Sequence, residues 1–155
     1  MSALPAMRIA IVGSRFVPSR GLRPPVWLAE VRSNVEAAVA AFVSTLPTTA
    51  LLVSGGAPGV DCWASTANRG VRPFLELRAG WQGPSGVGAG LERNAWIVSL
   101  ATDVYAFWDG ASRGTAHTIR EAQAAGKLRY VGLFGEANPR GQTMYAPPRA
   151  LPNLT

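Results

Sequence analysis

Arg8-Ile9-Ala10-Ile11-Val12-Gly13 is the stretch that decides the fold. It is short, apolar and rich in β-branched residues, and glycine closes it, which is how a strand buried on both faces reads. Outward from it the pattern alternates. Ser14 to Pro25 is a loop holding Arg15, Arg20 and Arg23, and Pro24-Pro25 suits the first turn of a helix. Leu28, Val31, Val35, Val39, Phe42 and Leu46 recur at steps of three and four, with Glu30, Arg32, Asn34 and Glu36 on the other face, so a helix is predicted over 26–46. Leu51 to Ser54 reads as a second strand closed by Gly55-Gly56, and a helix follows over 59–68. Arg72 to Leu77 is a third strand, and 80–90 is a charge-free loop with five glycines. A helix is predicted over 91–101, a fourth strand over 103–108, a tight loop over 109–114, a helix over 115–125 stopped by Gly126, and a fifth strand over 129–134.

Strands alternating with helices predict an α/β, doubly wound, five-stranded parallel sheet with helices on both faces. The expected order is 3-2-1-4-5, which makes strands one and four neighbours and opens a ligand crevice outside their carboxyl ends. The domain is expected over 8–134, after an N-terminal extension, 1–7. The Pro-rich tail, 135–155, holds Pro139, Pro147, Pro148 and Pro152, which break all periodicity; it reads as extended, disordered or packed on a partner.

Composition narrows the function classes. Of 155 residues, 48% are hydrophobic and 15% charged, which fits one domain with its own core and not a disordered chain. A single cysteine, Cys62, and a single histidine, His117, rule out an intramolecular disulfide framework, a Cys-based zinc cluster and a multi-histidine metal site within one chain; no metal is expected. Met1 to Met7 is too short for a signal peptide and no apolar run approaches a membrane span, so a cytoplasmic protein is expected. The net charge is +6, with fourteen arginines against the single Lys127. Such a balance allows a phosphate-bearing partner, small or polymeric, and coding bias also produces it.

Three glycine-bearing turns follow strands one, two and four: Gly13-Ser14-Arg15, Ser54 to Gly59, and Asp109 to Thr115. All three belong at one sheet edge, where backbone amides and helix N-termini favour anions. The alternative is that they are short strand–helix turns and no more. Together, Ile9 to Arg15, Val53 to Asp61, Glu92-Arg93-Asn94 and Gly114-Thr115 resemble the SLOG superfamily of Rossmann-like proteins, which takes in the LOG phosphoribohydrolases and the DNA-processing protein DprA. The order G-S-R, G-G-A-x-G-x-D, R-N, G-T is most similar to its YspA/YpsA-like branch, over residues 8–134.

The resemblance implies a Rossmann-like fold, a homo-oligomer of two or more copies, and a nucleotide or nucleotide-derived ligand. No other cofactor is expected. Gly13, Ser14 and Arg15 match the first family turn, and Gly55, Gly56 and Gly59 the second. Gly110, Ser112, Gly114 and Thr115 fall in the fourth-strand turn, and all of these are candidate phosphate contacts. Asp61 either bonds a ribose hydroxyl or caps its helix. Arg93 matches a LOG arginine that faces the ligand and takes part in catalysis; Asn94 braces it or touches ligand, and loop 80–90 is a candidate lid over it. The LOG pattern carries glutamates after its P-G-G-x-G-T turn. Here Asp109 stands for the proline, Ala111 for a glycine, and His117 and Thr118 offer no acid. An oxocarbenium-like state then lacks its facing carboxylate. His117 and Glu121, one helical turn apart, are the remaining candidates for acid–base work. Trp81 is the base-stacking candidate, whereas Trp108 ends a strand and reads as core.

These readings converge on binding, with or without processing, of a nucleotide-derived, phosphate-bearing ligand at the carboxyl edge of the sheet. The alternatives are a LOG-like nucleoside-monophosphate phosphoribohydrolase, a DprA-like single-stranded DNA binder, and a nonenzymatic cofactor carrier or ligand sensor. Nucleic acid is the less favoured partner, because no concentrated Lys/Arg stripe with interleaved aromatics is present. No membrane partner is expected.

Overall fold

A computed structural model describes residues 3–18, 20–80, 83 and 86–146. Strands are β1 (Arg8–Gly13), β2 (Leu51–Ser54), β3 (Phe74–Glu76), β4 (Asp103–Trp108), β5 (Leu128–Gly135) and β6 (Asn138–Tyr145). Helices are α1 (Leu28–Thr45), α2 (Val60–Asn68), α3 (Ala89–Leu100) and α4 (Arg113–Ala124), with a short 3₁₀ turn, Gly86–Gly88, before α3. The strands form one sheet in the order β3-β2-β1-β4-β5-β6, parallel throughout except for the antiparallel β5–β6 pair.

The alternation of side chains along β1 divides the core. Ile9 and Ile11 pack with Val31, Val35, Val39 and Val43 of α1 and with Val60 and Ala64 of α2. Ala10 and Val12 point to the opposite face, where Ile97 and Val98 of α3 and Ala122 of α4 cover them. A strand buried on both faces must be apolar at every position, which is why β1 carries no polar alternation. The chain runs β1-β2-β3 toward one edge under α1 and α2. It then returns beside β1 and runs β4-β5 toward the other edge under α3 and α4, so the connections that leave β1 and β4 turn to opposite faces of the sheet and leave a crevice beyond the strands' carboxyl ends.

The sheet has six strands where five were expected, and part of the tail is the sixth. Asn138–Tyr145 pairs with β5 from Gly135↔Asn138 to Val131↔Tyr145. The strand was hidden by its position at the edge: its middle is exposed, so it carries no apolar alternation, and Pro139, lacking an N–H, is tolerated only there. Asn34 of α1 donates to the Pro139 carbonyl at 2.6 Å, and Gly141, at φ +92°, lies against the Phe134 ring where a side chain would clash. Residues 147–155 of the expected tail lie outside the described residues.

The third strand is shorter than expected. Arg72 is buried and donates to the Leu46 carbonyl at 2.7 and 3.1 Å and to the Pro47 carbonyl at 3.2 Å, holding the α1–β2 connection to the α2–β3 one. Among the described residues, no helix is long and apolar enough to cross a membrane and no metal-holding cluster occurs.

Candidate functional site

The crevice between β1 and β4 is a cleft of about 400 Å³, within the range of small-molecule sites. Gly13, Arg15, Asp61, Arg93, Asn94, Ser112, Gly114 and Thr115 line it, together with Asp109 and the apolar Val12, Phe16, Val17 and Ile97. Eight of the residues singled out from the sequence therefore meet at one place.

The glycines of the first two turns make this meeting possible by what they leave out. At Gly13 a Cβ would collide with the Phe107 carbonyl and lie 2.6 Å from a Val60 methyl, so β1 runs into the turn hard against β4 and α2. Gly59, at φ +90°, lets the α2 entrance pass over the Ser14-Arg15 backbone, 2.6 Å from where its Cβ would stand. At Gly55 a Cβ would lie 2.6 Å from Arg93 Nη1 and 2.9 Å from Asp61 Oδ2, so its missing side chain seats both groups. Gly56, at φ +72°, does the same for the Glu76 carboxyl. Gly55, Gly56 and Gly59 thus shape the site from behind and do not line the cleft.

Ser14 is 1% exposed and is absorbed by the fold. Its amide donates to the Phe107 carbonyl at 3.0 Å, and its hydroxyl accepts from the Asp109 amide at 3.1 Å. That tie clamps the first turn to the fourth-strand turn. The following Phe16 adopts φ 52°, rare for a bulky side chain, and its ring is buried between Trp63 and Phe134. Arg32 of α1 holds this bend by donating to the Phe16 carbonyl at 2.6 Å. The anchored Phe16 leaves Arg15 exposed beside the cleft.

Arg93 and Asn94 act as a strut across the cleft floor. Arg93 Nη1 donates to the Gly55 carbonyl at 2.7 Å and Nε to Asn94 Oδ1 at 2.9 Å. Asn94, 8% exposed, passes the link on by donating to the Gly114 carbonyl at 3.2 Å. One pair on α3 therefore joins the β2–α2 turn to the β4–α4 turn. Both of these acceptors are neutral, and among the described residues no ion pair within 4 Å neutralises Arg93.

The β4–α4 turn is partly self-satisfied. Asp109 Oδ1 accepts from the Ala111 amide at 2.9 Å and the Ser112 amide at 2.7 Å, and Ser112 caps α4 by accepting from the Thr115 amide at 3.4 Å. Asp109 thereby occupies the amides of Ala111 and Ser112 with its own carboxylate. Gly110, at φ +80°, turns the chain there and does not line the cleft. Trp108 donates to the Ser112 carbonyl at 3.1 Å and braces the same turn.

Asp61 lies in the first turn of α2, 7% exposed, with Oδ2 accepting from the Ala57 amide at 3.0 Å. Burial pushes its carboxyl up to about 6, against the Ala57 hydrogen bond and the Arg93 charge, while Glu76 adds to the rise and Arg15 opposes it. Both sequence readings of Asp61 therefore have a counterpart: it bonds a turn amide and it faces the cleft. Glu76 escaped the sequence reading because it was placed inside the third strand; its register opposite Ser54 brings it to the same rim, paired with Arg78 at 2.7 Å.

His117 and Glu121 are not brought to the cleft. They face each other on α4 at 3.6 Å, and the α4 side chains that reach the cleft are Thr115 and Thr118. Trp81, with Gln82, Pro84 and Ser85 of the candidate lid, lies outside the described residues; Gly90, at the end of that loop, lines the cleft.

No family model matches the chain. Two solved structures share the fold. DNA processing protein A from Helicobacter pylori matches with a TM-score of 0.53 at 23% identity, over 83% of this chain and 65% of that one. DNA processing protein A (DprA) from Streptococcus pneumoniae matches with a TM-score of 0.58 at 16% identity, over 86% of this chain and 52% of that one. The chain thus spans between half and two thirds of either. In sequence it is 37% identical over 127 residues to the Gene 61 protein of Mycobacterium phage D29, covering 77% of this chain and 90% of that relative. At that identity and coverage the chain belongs to the family of the phage Gene 61 protein.

Proposed function

We propose that the chain binds nucleic acid as a single strand, taking one nucleotide's phosphate into the cleft between β1 and β4. The observation that carries this reading is the convergence of Arg15 and Arg93, with Asn94 and Thr115, in that cleft. The distribution of the other cations supports a polymeric partner. At the amino end of the sheet Arg8 and Lys127 bond backbone carbonyls and Arg129 pairs with Asp103, while Arg69, after α2, is exposed. At the carboxyl edge Arg15, Arg20, Arg23 and Arg113 are exposed and form no ion pair among the described residues. A rim of exposed guanidiniums around the cleft suits a backbone that continues past it. The H. pylori protein of the same fold binds single-stranded DNA, which moves nucleic acid from the less favoured partner to the leading one.

A free nucleotide or nucleotide derivative is the second reading, favoured by the size of the cleft. Membership of the YspA-like branch goes with it. A LOG-like hydrolysis is supported less, because Thr118 and not an acid faces the cleft from α4. The test is anisotropy of a labelled deoxythymidine decamer over rising salt, beside a thermal-shift panel of nucleoside monophosphates. Decamer binding that weakens steeply with salt and is lost on Arg93→Ala supports the leading reading. Stabilisation by a monophosphate with no decamer binding at low salt transfers the site to the second. Sedimentation of the free chain checks the homo-oligomer that the resemblance implies.

A further inference from the structure

We propose that the cleft takes its anion together with a proton, and that Asp61 carries this proton against the ligand. The inference rests on the reading of the cleft as a phosphate site. Its basis is a contradiction in the cleft's lining: a pocket built around two guanidiniums also contains a nearly buried carboxyl group. An ionised carboxylate there would repel any phosphate oxygen that reached Arg93. A neutral carboxylic acid would instead donate an O–H···O bond to it.

The surroundings favour the neutral form once the ligand is bound. Asp61 Oδ2 is held by the Ala57 amide at 3.0 Å, which leaves Oδ1 for the ligand. The charged groups around it are Arg93 from α3, Arg15 from the turn after β1, and Glu76 from β3, and Asp109 lines the same cleft from the β4–α4 turn. His117 of α4 does not line it. No ion pair joins Asp61 to either arginine among the described residues, although the missing Cβ of Gly55 seats Arg93 Nη1 and Asp61 Oδ2 side by side. Only the two arginine charges and one amide favour the ionised form, and burial already sets the carboxyl at about 6. A bound phosphate takes over the charge of Arg15 and Arg93. The group then titrates higher in the complex than in the free protein, and binding takes up a proton.

The experiment uses the full chain with two probes that keep their own charge between pH 5.5 and 8, a deoxythymidine decamer and sulfate. Affinity for the decamer is measured by anisotropy at fixed ionic strength, and proton uptake by calorimetry in two buffers of different ionisation heat. The expected result is roughly tenfold tighter binding at pH 6 than at pH 8, with uptake of about half a proton or more near pH 7. Asp61→Asn, which keeps the shape and a donor, should bind at pH 8 about as the unaltered protein does at pH 6, without the pH slope. A pH-independent affinity, or a slope that survives in Asp61→Asn, overturns the proposal. If the decamer fails to bind at any pH, the single-strand reading falls and sulfate decides alone. Greater thermal stabilisation by sulfate at pH 5.5 than at pH 8, lost in Asp61→Asn, sustains the proton-coupled cleft; equal stabilisation at both pH values overturns it.

Discussion

Gly55→Ala isolates the seat of Arg93 from the rest of the fold. Gly55 is buried but its backbone is not in the left-handed region, so alanine fits the chain without strain. The new methyl would stand 2.6 Å from Arg93 Nη1, 2.9 Å from its Cζ and 2.9 Å from Asp61 Oδ2. These are the far ends of side chains, so the guanidinium gives way and not the backbone. The cost to folding is the loss of the bonds at 2.7 Å to the Gly55 carbonyl and 2.9 Å to Asn94. Each is a charge-assisted bond, but Arg93 is only partly buried and water replaces part of both, so about 1 kcal/mol is lost overall. For a chain of this size that lowers Tm by roughly 2–4 °C. The cost to binding is larger, because the displaced guanidinium no longer meets the phosphate. A charge-assisted contact of about 2 kcal/mol corresponds to a loss near 30-fold in affinity for the decamer. The assay is a double-mutant cycle with Arg93→Ala, read by anisotropy beside thermal denaturation. If Gly55 acts through Arg93, the double variant binds no worse than Arg93→Ala alone. A Gly55→Ala penalty of the same size in both backgrounds would refute the argument.

Gly13→Ala has no flexible neighbour to displace: its methyl meets the Phe107 carbonyl and Val60. It should destabilise by about 3 kcal/mol or leave the chain insoluble, as urea denaturation will show. Val39→Ala, at a fully buried α1 position, should cost about 2–3 kcal/mol through lost burial and the cavity left behind, with decamer binding unchanged in the folded fraction. Asp61 makes stability fall as pH rises: its carboxyl titrates at about 6 in the fold against 3.8 unfolded, so the native state holds the extra proton between those values. Asp61→Asn should therefore gain roughly 1–2 kcal/mol over the unaltered protein at pH 7.5, a difference that shrinks toward pH 4 in a chemical-denaturation series.

The alternation of strands and helices was legible because it rests on local pattern. β1 is apolar from Ile9 to Val12, α1 carries a valine each turn, and a glycine-bearing turn follows β1, β2 and β4. β6 was not legible, since an exposed edge strand shows no alternation and Pro139 argues against a strand everywhere except at an edge. The site was legible as a set of turns but not as a division of labour. Ser14 matches a family turn in the sequence, but its burial and its bond from the Asp109 amide depend on a residue distant in sequence. Glu76 was invisible for the same reason, because its place at the rim depends on register with Ser54.

The amino-acid order alone determined which segments are strands and helices, and that three glycine turns share one edge, because periodicity and backbone freedom are properties of neighbouring residues. Which polar groups remain for a ligand was settled by the folded chain. Asp109 closes on its own turn, the Gly55 and Gly56 turn seats Arg93, Asp61 and Glu76, and the Arg93–Asn94 strut spans the cleft. The bonds from Arg93 to Gly55, from Asn94 to Gly114 and from Asp109 to Ser14, and the burial of Asp61, join residues far apart in the chain, so they cannot be read before the sheet brings them together.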